Sequence, residues 1–553
     1  MNRSYKAKRL LEPLHLRRWA AVFAITTVLI WCSPGFTDDA ARLDALFEAW
    51  NHANSPGVVV AVARPGQPPL IRAYGSANLE FGAPMGADSN FYLCSVSKQF
   101  VAAAIALLAE DGKLGLDDDV RKYVPELPQY AWPITIRHLI HHTSGLRDYL
   151  GVMGVSGRSF ANFFGPPEML EIIARQEALN FEPGTEFSYS NSGYFLLAEI
   201  VARVSGKSLR AFSQERIFGP LGMTATIWDD DRSEVLPQRV VSYRKSGETW
   251  HHYVKNFNSL GDGGVMSTAN DLVHWAENLR EPRIGEANFA AAIRTRGRLN
   301  SGVDIPYAFG IAHEIYRGRP TLEHGGGMLG FRTHVMHFED DGSTIVILGN
   351  ADSMDTKKMA NDVADVILPG GEPESRPDSA PADKYEKWFG NYVDPKTQLL
   401  WIVKKGTENG VEWVVEGRPY ALNQVDKGTL ASVDSMYPPS QLVFAKSDVT
   451  IHREGETPRA LVRLDVPSLD AAALAEYAGA YWSDSLAATY SISVEHDSLV
   501  IRCKGARELI VRPVGPDRFA NRSDVAFTRD ANGAISGMTA TLANLRNVTF
   551  RKQ

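Results

Sequence analysis

The chain has 553 residues, enough for several domain-sized units and a large core. Apolar residues make up 44% and charged residues 22%, which excludes collagen-like, disulfide-scaffold and wholly disordered chains. The formal charge is −7 with no polybasic run, so nucleic acid is excluded as an expected partner.

The first 37 residues run against the acidic balance. Arg3, Lys6, Lys8, Arg9, Arg17 and Arg18 stand against the single acid Glu12. The apolar run Trp19 to Cys32 follows, too short to span a bilayer comfortably, and Ser33-Pro34-Gly35 ends it. This pattern predicts a signal peptide over 1–37 and a periplasmic or secreted protein, with a retained membrane anchor as the alternative. No other stretch is long and apolar enough to predict a stable membrane span. Of the three cysteines only Cys94 and Cys503 lie beyond that segment, far apart, which excludes a disulfide framework.

Residues 38–368 mix helical and strand patterns. Val58 to Ala63 reads as a short buried strand. Val96 to Asp111 is apolar on nearly every side, the pattern of a helix at the centre of a domain, and Gly112 closes it. Helical spacing recurs over Glu168–Gln176 and Gly193–Val204. Thr333–Leu348 carries strand patterns, and Thr356–Leu368 reads as an amphipathic terminal helix. The expected fold class is α+β.

Residues 369–383 read as a linker, since Pro369 to Ala382 holds four prolines and two glycines. Beyond it the chain turns to short β runs, such as Trp401–Val403, Val411–Val415 and Tyr490–Val494. It also repeats: Trp388-Phe389-Gly390-Asn391-Tyr392 matches Tyr477-Ala478-Gly479-Ala480-Tyr481. Two antiparallel β-barrel domains are expected, over 384–466 and 467–553.

Ser95-Val96-Ser97-Lys98 is an S-x-x-K word. At i and i+3 on a helix the Lys98 amine reaches the Ser95 hydroxyl, and a serine becomes a nucleophile only when a base takes its proton. A buried lysine loses preference for its charged form and becomes such a base. Ser242 to Lys245 repeats the pattern without the apolar helix. Tyr189-Ser190-Asn191 follows; a phenol shuttles a proton to a leaving group, and a carboxamide orients a carbonyl. Alone this word reads as a turn. The third element is His324-Gly325-Gly326-Gly327, whose glycines let backbone amides approach a substrate. Lys245-Ser246-Gly247 is the rival third word; it reads as a hairpin tip.

These three words in this order resemble the serine beta-lactamase and penicillin-binding-protein superfamily, in its class C-like branch. Ile136 to Leu146, Pro183-Gly184, Pro220 to Met223 and Gly261 to Gly264 strengthen the resemblance. Cys94 to Phe100, Gly145 to Tyr149 and the two β modules are similar to the D-stereospecific aminopeptidases of that branch. The resemblance implies a beta-lactamase/transpeptidase-like domain followed by two antiparallel barrels, with a loop of the last barrel reaching the site. Tyr481–Thr489 or the stretch near Pro516 is the expected loop. Ser95, Lys98 and Tyr189 are then catalytic, and Asn191, His324, Gly326 and Gly327 bind substrate. The amides of Ser95 and Gly327 form an oxyanion hole. The implied substrate is a small amide or short peptide, with no cofactor and no metal, and the implied assembly is a homodimer.

His324 stands where beta-lactamases carry lysine. A neutral histidine offers less fixed charge to a carboxylate, which favours amide, ester or free-amine substrates. The functional expectation is a serine hydrolase forming an acyl-enzyme, in the narrowest form a D-aminopeptidase. The alternatives are a class C-like esterase or beta-lactamase, and a non-catalytic binder of peptidoglycan fragments. His138, His141 and His142 carry no supporting carboxylate word for zinc.

Overall fold

The computed structural model describes residues 34–159, 162–254, 256, 258–368, 371, 379–432 and 438–553. The expected leader falls outside them up to Ser33, as does most of the expected linker. Among the described residues no helix is long and apolar enough to cross a membrane.

A six-stranded antiparallel sheet stands at the centre of the N-terminal body. Its spatial order is Ala312–Tyr316, Arg319–Met328, Phe331–Phe338, Thr344–Gly349, Val58–Ala63 and Leu70–Tyr74. Successive residues point to opposite faces. Val58, Val60, Val62, Met336, Ile345 and Ile347 pack in one core with residues of the helices Pro34–Leu46 and Thr356–Ile367. Val59, Ala61, Val335, Val346 and Leu348 belong to the main core with helix Lys98–Glu110. Cover on both faces explains the unbroken apolar run Val58–Ala63.

In helix Lys98–Glu110 every residue from Lys98 to Leu108 is buried. The sequence predicts this helix from Val96. The structure instead places a single 3-10 turn, Cys94–Ser97, before it. Helix Asn191–Ser205 packs beside it and ends at Gly206 in the left-handed conformation, as helix ends favour.

The C-terminal region forms two closed eight-stranded antiparallel barrels. Strand Gly390–Val393 closes the first against Arg459–Leu464, and Gly479–Ser483 closes the second against Leu545–Lys552. The repeated words give both barrels the same start. Tyr392 Oη donates to Trp388 O at 2.7 Å, and Tyr481 Oη donates to Tyr477 O at 2.8 Å. Gly390 and Gly479 lie between them at φ 158° and 142°, a backbone region that side chains avoid. Trp401 and Trp413 meet edge to face inside the first barrel, ring centroids 5.1 Å apart.

One carboxylate joins all three parts. Glu186 of the body takes Arg453 of the first barrel at 3.2 Å and Arg546 of the second at 3.0 Å. Arg546 also meets Glu416 of the first barrel at 2.7 Å. Burial alone would push the Glu186 carboxyl up, but the two guanidiniums outweigh it and draw it down to about 2. Its contribution to stability is therefore complete above the ordinary carboxylate value and is lost as pH falls toward 2. Glu186→Gln is expected to cost about 3 kcal/mol at neutral pH, since it strands the buried Arg453 guanidinium, while Arg546 keeps Glu416. Denaturant titration checks this. The gap to the wild type should narrow as pH falls below 4.5, where the carboxyl of the unfolded chain begins to protonate while the folded one stays ionised down to about 2.

Candidate active site

The Ser95 turn is set by a strained residue. Strand Phe91–Tyr92 ends, and Cys94 adopts φ 53°, a left-handed value uncommon for a residue with a side chain. In the 3-10 turn that follows, residues three apart nearly eclipse. Lys98 Nζ consequently stands 3.2 Å from Ser95 Oγ. It also donates to Asn191 Oδ1 at 2.9 Å and to the Asp262 carbonyl at 2.7 Å. Lys98 has 0% of its surface exposed. Burial pushes its amine down to about 8, with Asp262 and Asp148 pulling the other way. The pair is thus equipped for a proton to pass from Ser95 to Lys98.

Asn191 opens its helix and is held by Asp148. Asp148 Oδ2 accepts from Asn191 N and from Asn191 Nδ2, each at 2.7 Å. With Nδ2 fixed there, Oδ1 is the atom left to face Lys98. Asp148 Oδ1 accepts from Leu150 N and Gly151 N and caps helix Tyr149–Val155. The sequence marks Asp148 only as one letter of a family word. Its Asp-before-helix position was the available signal.

Tyr189 lies over the same group, with Lys98 Nζ 4.8 Å from its ring centroid. His142 stacks on that ring at 4.2 Å and accepts from Ser190 N at 3.1 Å. Burial pushes His142 well below its ordinary value, so it is a neutral packing surface. The protein around the Tyr189 phenol pushes it up, and the adjacent Ser95 hydroxyl draws it partly back. The residue is 37% exposed on its cleft side, so solvent there moderates the push.

His324 lies on strand Arg319–Met328. The strand Ala312–Tyr316 pairs with it only as far as Glu323, which leaves the edge beyond His324 without a strand partner among the described residues. His324 Nδ1 is 2.6 Å from Gly325 O and Nε2 is 2.9 Å from Tyr307 Oη. A carbonyl only accepts, so Nδ1 carries the proton and Nε2 accepts from the tyrosine. Burial, then the Lys98 charge, pushes His324 down to about 3, which leaves it neutral. Tyr307 carries no motif and was invisible in the sequence. Gly326 faces the Ser95 turn: a Cβ there would stand 2.5 Å from Leu93 O and 2.3 Å from Thr333 Oγ1.

A cavity of about 190 Å³ is lined by Ser95, Tyr189, Asn191, Gly327, Leu150 and Asp262. It holds four of the seven residues singled out in the sequence, and Lys98 hydrogen-bonds to two of those, Ser95 and Asn191. A second space, about 370 Å³, shares Tyr189 and Asn191 and adds Glu416, Arg453, Asn544 and Arg546 from the barrels. His324 and Gly326 line a third cavity instead. The barrel turn that reaches the cleft is Ala543–Asn544, not Tyr481–Thr489 or the stretch near Pro516. Both residues have positive φ, the geometry of a two-residue hairpin turn, and Ala-Asn is a weak signal for it. Ser485 of the expected loop meets the body elsewhere, at Gln176.

The remaining candidates have local partners. Lys245 to Gly247 lies at the turn of an exposed hairpin, Tyr243–Ser246 with Thr249–His252. His138 closes a capping box with Thr135, and His141 bonds the Tyr307 carbonyl.

A half-buried serine bonded to a buried lysine at the head of a central helix, beside an antiparallel sheet, defines a serine hydrolase of the penicillin-recognising class. Residues 43–368 match the family described as Beta-lactamase, and the chain belongs to that family. A D-aminopeptidase of Cereibacter sphaeroides is 31% identical over 376 residues, covering 67% of this chain and 70% of that protein. A D-aminopeptidase of Brucella anthropi is 27% identical over 523 residues, 91% of this chain and 96% of that protein. The D-amino acid amidase structure from Ochrobactrum anthropi SV3, complexed with L-phenylalanine, superposes with TM-score 0.52 at 22% identity. It covers 60% of this chain and 97% of that one. The octameric penicillin-binding protein homologue from Pyrococcus abyssi superposes with TM-score 0.54 at 20% identity, over 76% and 100%.

If Lys98 accepts the Ser95 proton, kcat/KM should rise with pH through about 8, where the amine becomes neutral. Lys98→Ala should lower kcat/KM by roughly 10³. A pH–rate profile of both proteins checks this. Gly326→Ala should lose about 2 kcal/mol and lower kcat, because the new methyl group is driven into Leu93 O beside the Ser95 turn. Gly327→Ala, whose Cβ meets nothing nearer than 3.7 Å, should melt like the wild type. Thermal denaturation with parallel rate measurements separates the two.

Proposed function

We propose that the protein is a D-aminopeptidase that releases N-terminal D-residues from small amides or short peptides through an acyl-enzyme. The observation that carries this reading is the Ser95–Lys98–Asn191 hydrogen-bonded group, set in a family whose full-length relatives are named D-aminopeptidases. Ser95 Oγ attacks the scissile carbonyl carbon as its proton passes to Lys98 Nζ. The oxyanion faces the amides of Ser95 and Gly327. Tyr189 relays a proton to the leaving nitrogen, the C–N bond breaks, and the acyl group stays on Ser95. Water, activated by the same groups, then releases the acid. Asn191 positions the substrate.

The 190 Å³ cavity suits a small acyl residue. The adjoining space carries Asp148, which is bonded to Asn191, and Glu186 and Glu416, which are paired with Arg453 and Arg546 on the same wall, so Asp148 is the carboxylate proposed to face a substrate ammonium. We further propose that the leader directs the protein to the periplasm, and that the chain divides at 38–368, 384–466 and 467–553.

Residues 38–553 should hydrolyse D-alanine p-nitroanilide, and Ser95→Ala should abolish turnover. The L-isomer and the N-acetylated D-substrate should react at least about a hundredfold more slowly, as a site with buried polar groups discriminates. Turnover of the acetylated substrate or of a chromogenic cephalosporin would move the assignment to the esterase or beta-lactamase alternative. Inertness to a fluorophosphonate probe would leave the binding module.

A further inference from the structure

One residue beside Tyr189 carries two local penalties. His142 adopts φ 56°, a left-handed backbone uncommon for a residue with a side chain and one that glycine would take without strain. Its Nε2 is buried and has no hydrogen-bond partner among the described residues. A buried donor left unbonded lowers stability. Strain and an unmet polar group on one buried residue, next to the nucleophile's own surroundings, point to a use that offsets both.

His142 holds Tyr189 at three points. Its carbonyl accepts from Ser188 N at 2.9 Å, and its ring Nδ1 accepts from Ser190 N at 3.1 Å. Those residues flank Tyr189, so the backbone that carries the phenol is fixed on both sides. The imidazole also stacks on the Tyr189 ring, with centroids 4.2 Å and planes 35° apart. Because Nδ1 accepts an N–H, the ring proton sits on Nε2 and the imidazole is neutral. The rings of Phe187, Tyr194 and Tyr307 pack on the same imidazole, with centroids 5.9, 5.0 and 4.7 Å away. The phenol so held lies beside the Ser95 hydroxyl, and Lys98 Nζ stands 4.8 Å from its ring. No other side chain meets both requirements at this position. Phenylalanine and tyrosine have a ring but no acceptor beside Cγ, and asparagine has the acceptor but no ring.

We infer that His142 is a positioning residue for Tyr189, aiming the phenol so that the leaving group receives its proton. The inference rests on the acyl-enzyme reading in which Tyr189 is the proton relay. In the step it serves, the C–N bond breaks as the Tyr189 Oη proton passes to the leaving nitrogen. The proton that Lys98 took from Ser95 then replaces it on Tyr189, so the count of protons closes. An amide nitrogen cannot leave as an anion and depends on that delivery. A p-nitrophenolate leaves unprotonated and does not. A phenol out of aim therefore slows amides and spares activated esters. The neutral imidazole acts by its flat face and by the Nδ1 acceptor, not by charge.

The test compares D-alanine p-nitroanilide with D-alanine p-nitrophenyl ester, which share an acyl group and a leaving ring. For a common acyl-enzyme, kcat/KM on each reports acylation. His142→Phe keeps a ring and loses the acceptor. His142→Asn keeps an acceptor, tolerates left-handed backbone and loses the ring. Each should lower kcat/KM on the anilide by roughly tenfold to a hundredfold, the scale of a misplaced group, and on the ester by about twofold. Tyr189→Phe sets the reference, with a larger loss that is again selective for the anilide. Titration of Ser95 with a fluorophosphonate counts competent sites, so a partly unfolded preparation cannot imitate the ratio. Equal losses on anilide and ester in both His142 variants would overturn the inference, as the mark of a residue that only supports the fold. So would wild-type rates on the anilide in both. Equal losses on the two substrates in Tyr189→Phe, or no anilide turnover by the wild type, would instead overturn the reading beneath it.

Discussion

An amine buried without water must be met by acceptors, and the active centre is organised around that demand. Lys98 is wholly enclosed and bonds to Ser95, Asn191 and the Asp262 carbonyl. The three acceptors come from a 3-10 turn, a helix start and a glycine-rich loop, distant in sequence. Two adjacent residues hold two of them in place. Asp148 fixes the Asn191 carboxamide, and Tyr149 Oη donates to Asp262 Oδ2 at 2.8 Å. Helix Tyr149–Val155 thereby acts as a bracket behind the lysine. The same enclosure that requires these acceptors lowers the amine's proton affinity, so structural cost and chemical use have one origin.

The strand bearing His324 meets a second constraint. It must lie close enough to the Ser95 turn for Gly327 to border the same cavity, and Gly326 makes that approach sterically feasible. Thr333 on the next strand ties the turn to the sheet through a 2.8 Å bond to Leu93 O. The sheet thus fixes the turn from one side while helix Asn191–Ser205 fixes it from the other. His324 contributes shape and a hydrogen bond to Tyr307, and no charge.

Much of this was legible in the sequence, and the exceptions follow a physical pattern. The apolar run Val58–Ala63, the all-round apolar helix and the repeated Gly390 and Gly479 words are periodic or conformationally forced, so they predict local structure directly. Ser95, Lys98, Tyr189 and Asn191 form short words whose chemistry depends on spacing. Tyr307 meets His324 from an isolated bridge outside the strands, a contact made only by the fold, which no local pattern encodes. Asp148 was visible as a letter but not as a role, because its partner Asn191 is brought to it only by the fold. Ala543–Asn544 reaches the cleft because a barrel docks there, and docking is written in scattered residues such as Arg147, Gln176, Asn180 and Arg546.

The barrels stand in a different relation to the site from the body. No acceptor of Lys98 comes from them, yet they supply walls of the space beside Tyr189. Their attachment converges on Glu186, three residues before Tyr189 in the chain. The hydrogen-bonded group around Lys98 is therefore complete within the body, and the space beside Tyr189 is completed by barrel residues 227 to 357 positions after it in sequence. The second barrel shares the hydrophobic core of the body, and Glu186 ties both barrels to it. Divergence in the barrel turns can reshape the space beside Tyr189 without disturbing the buried lysine and its acceptors.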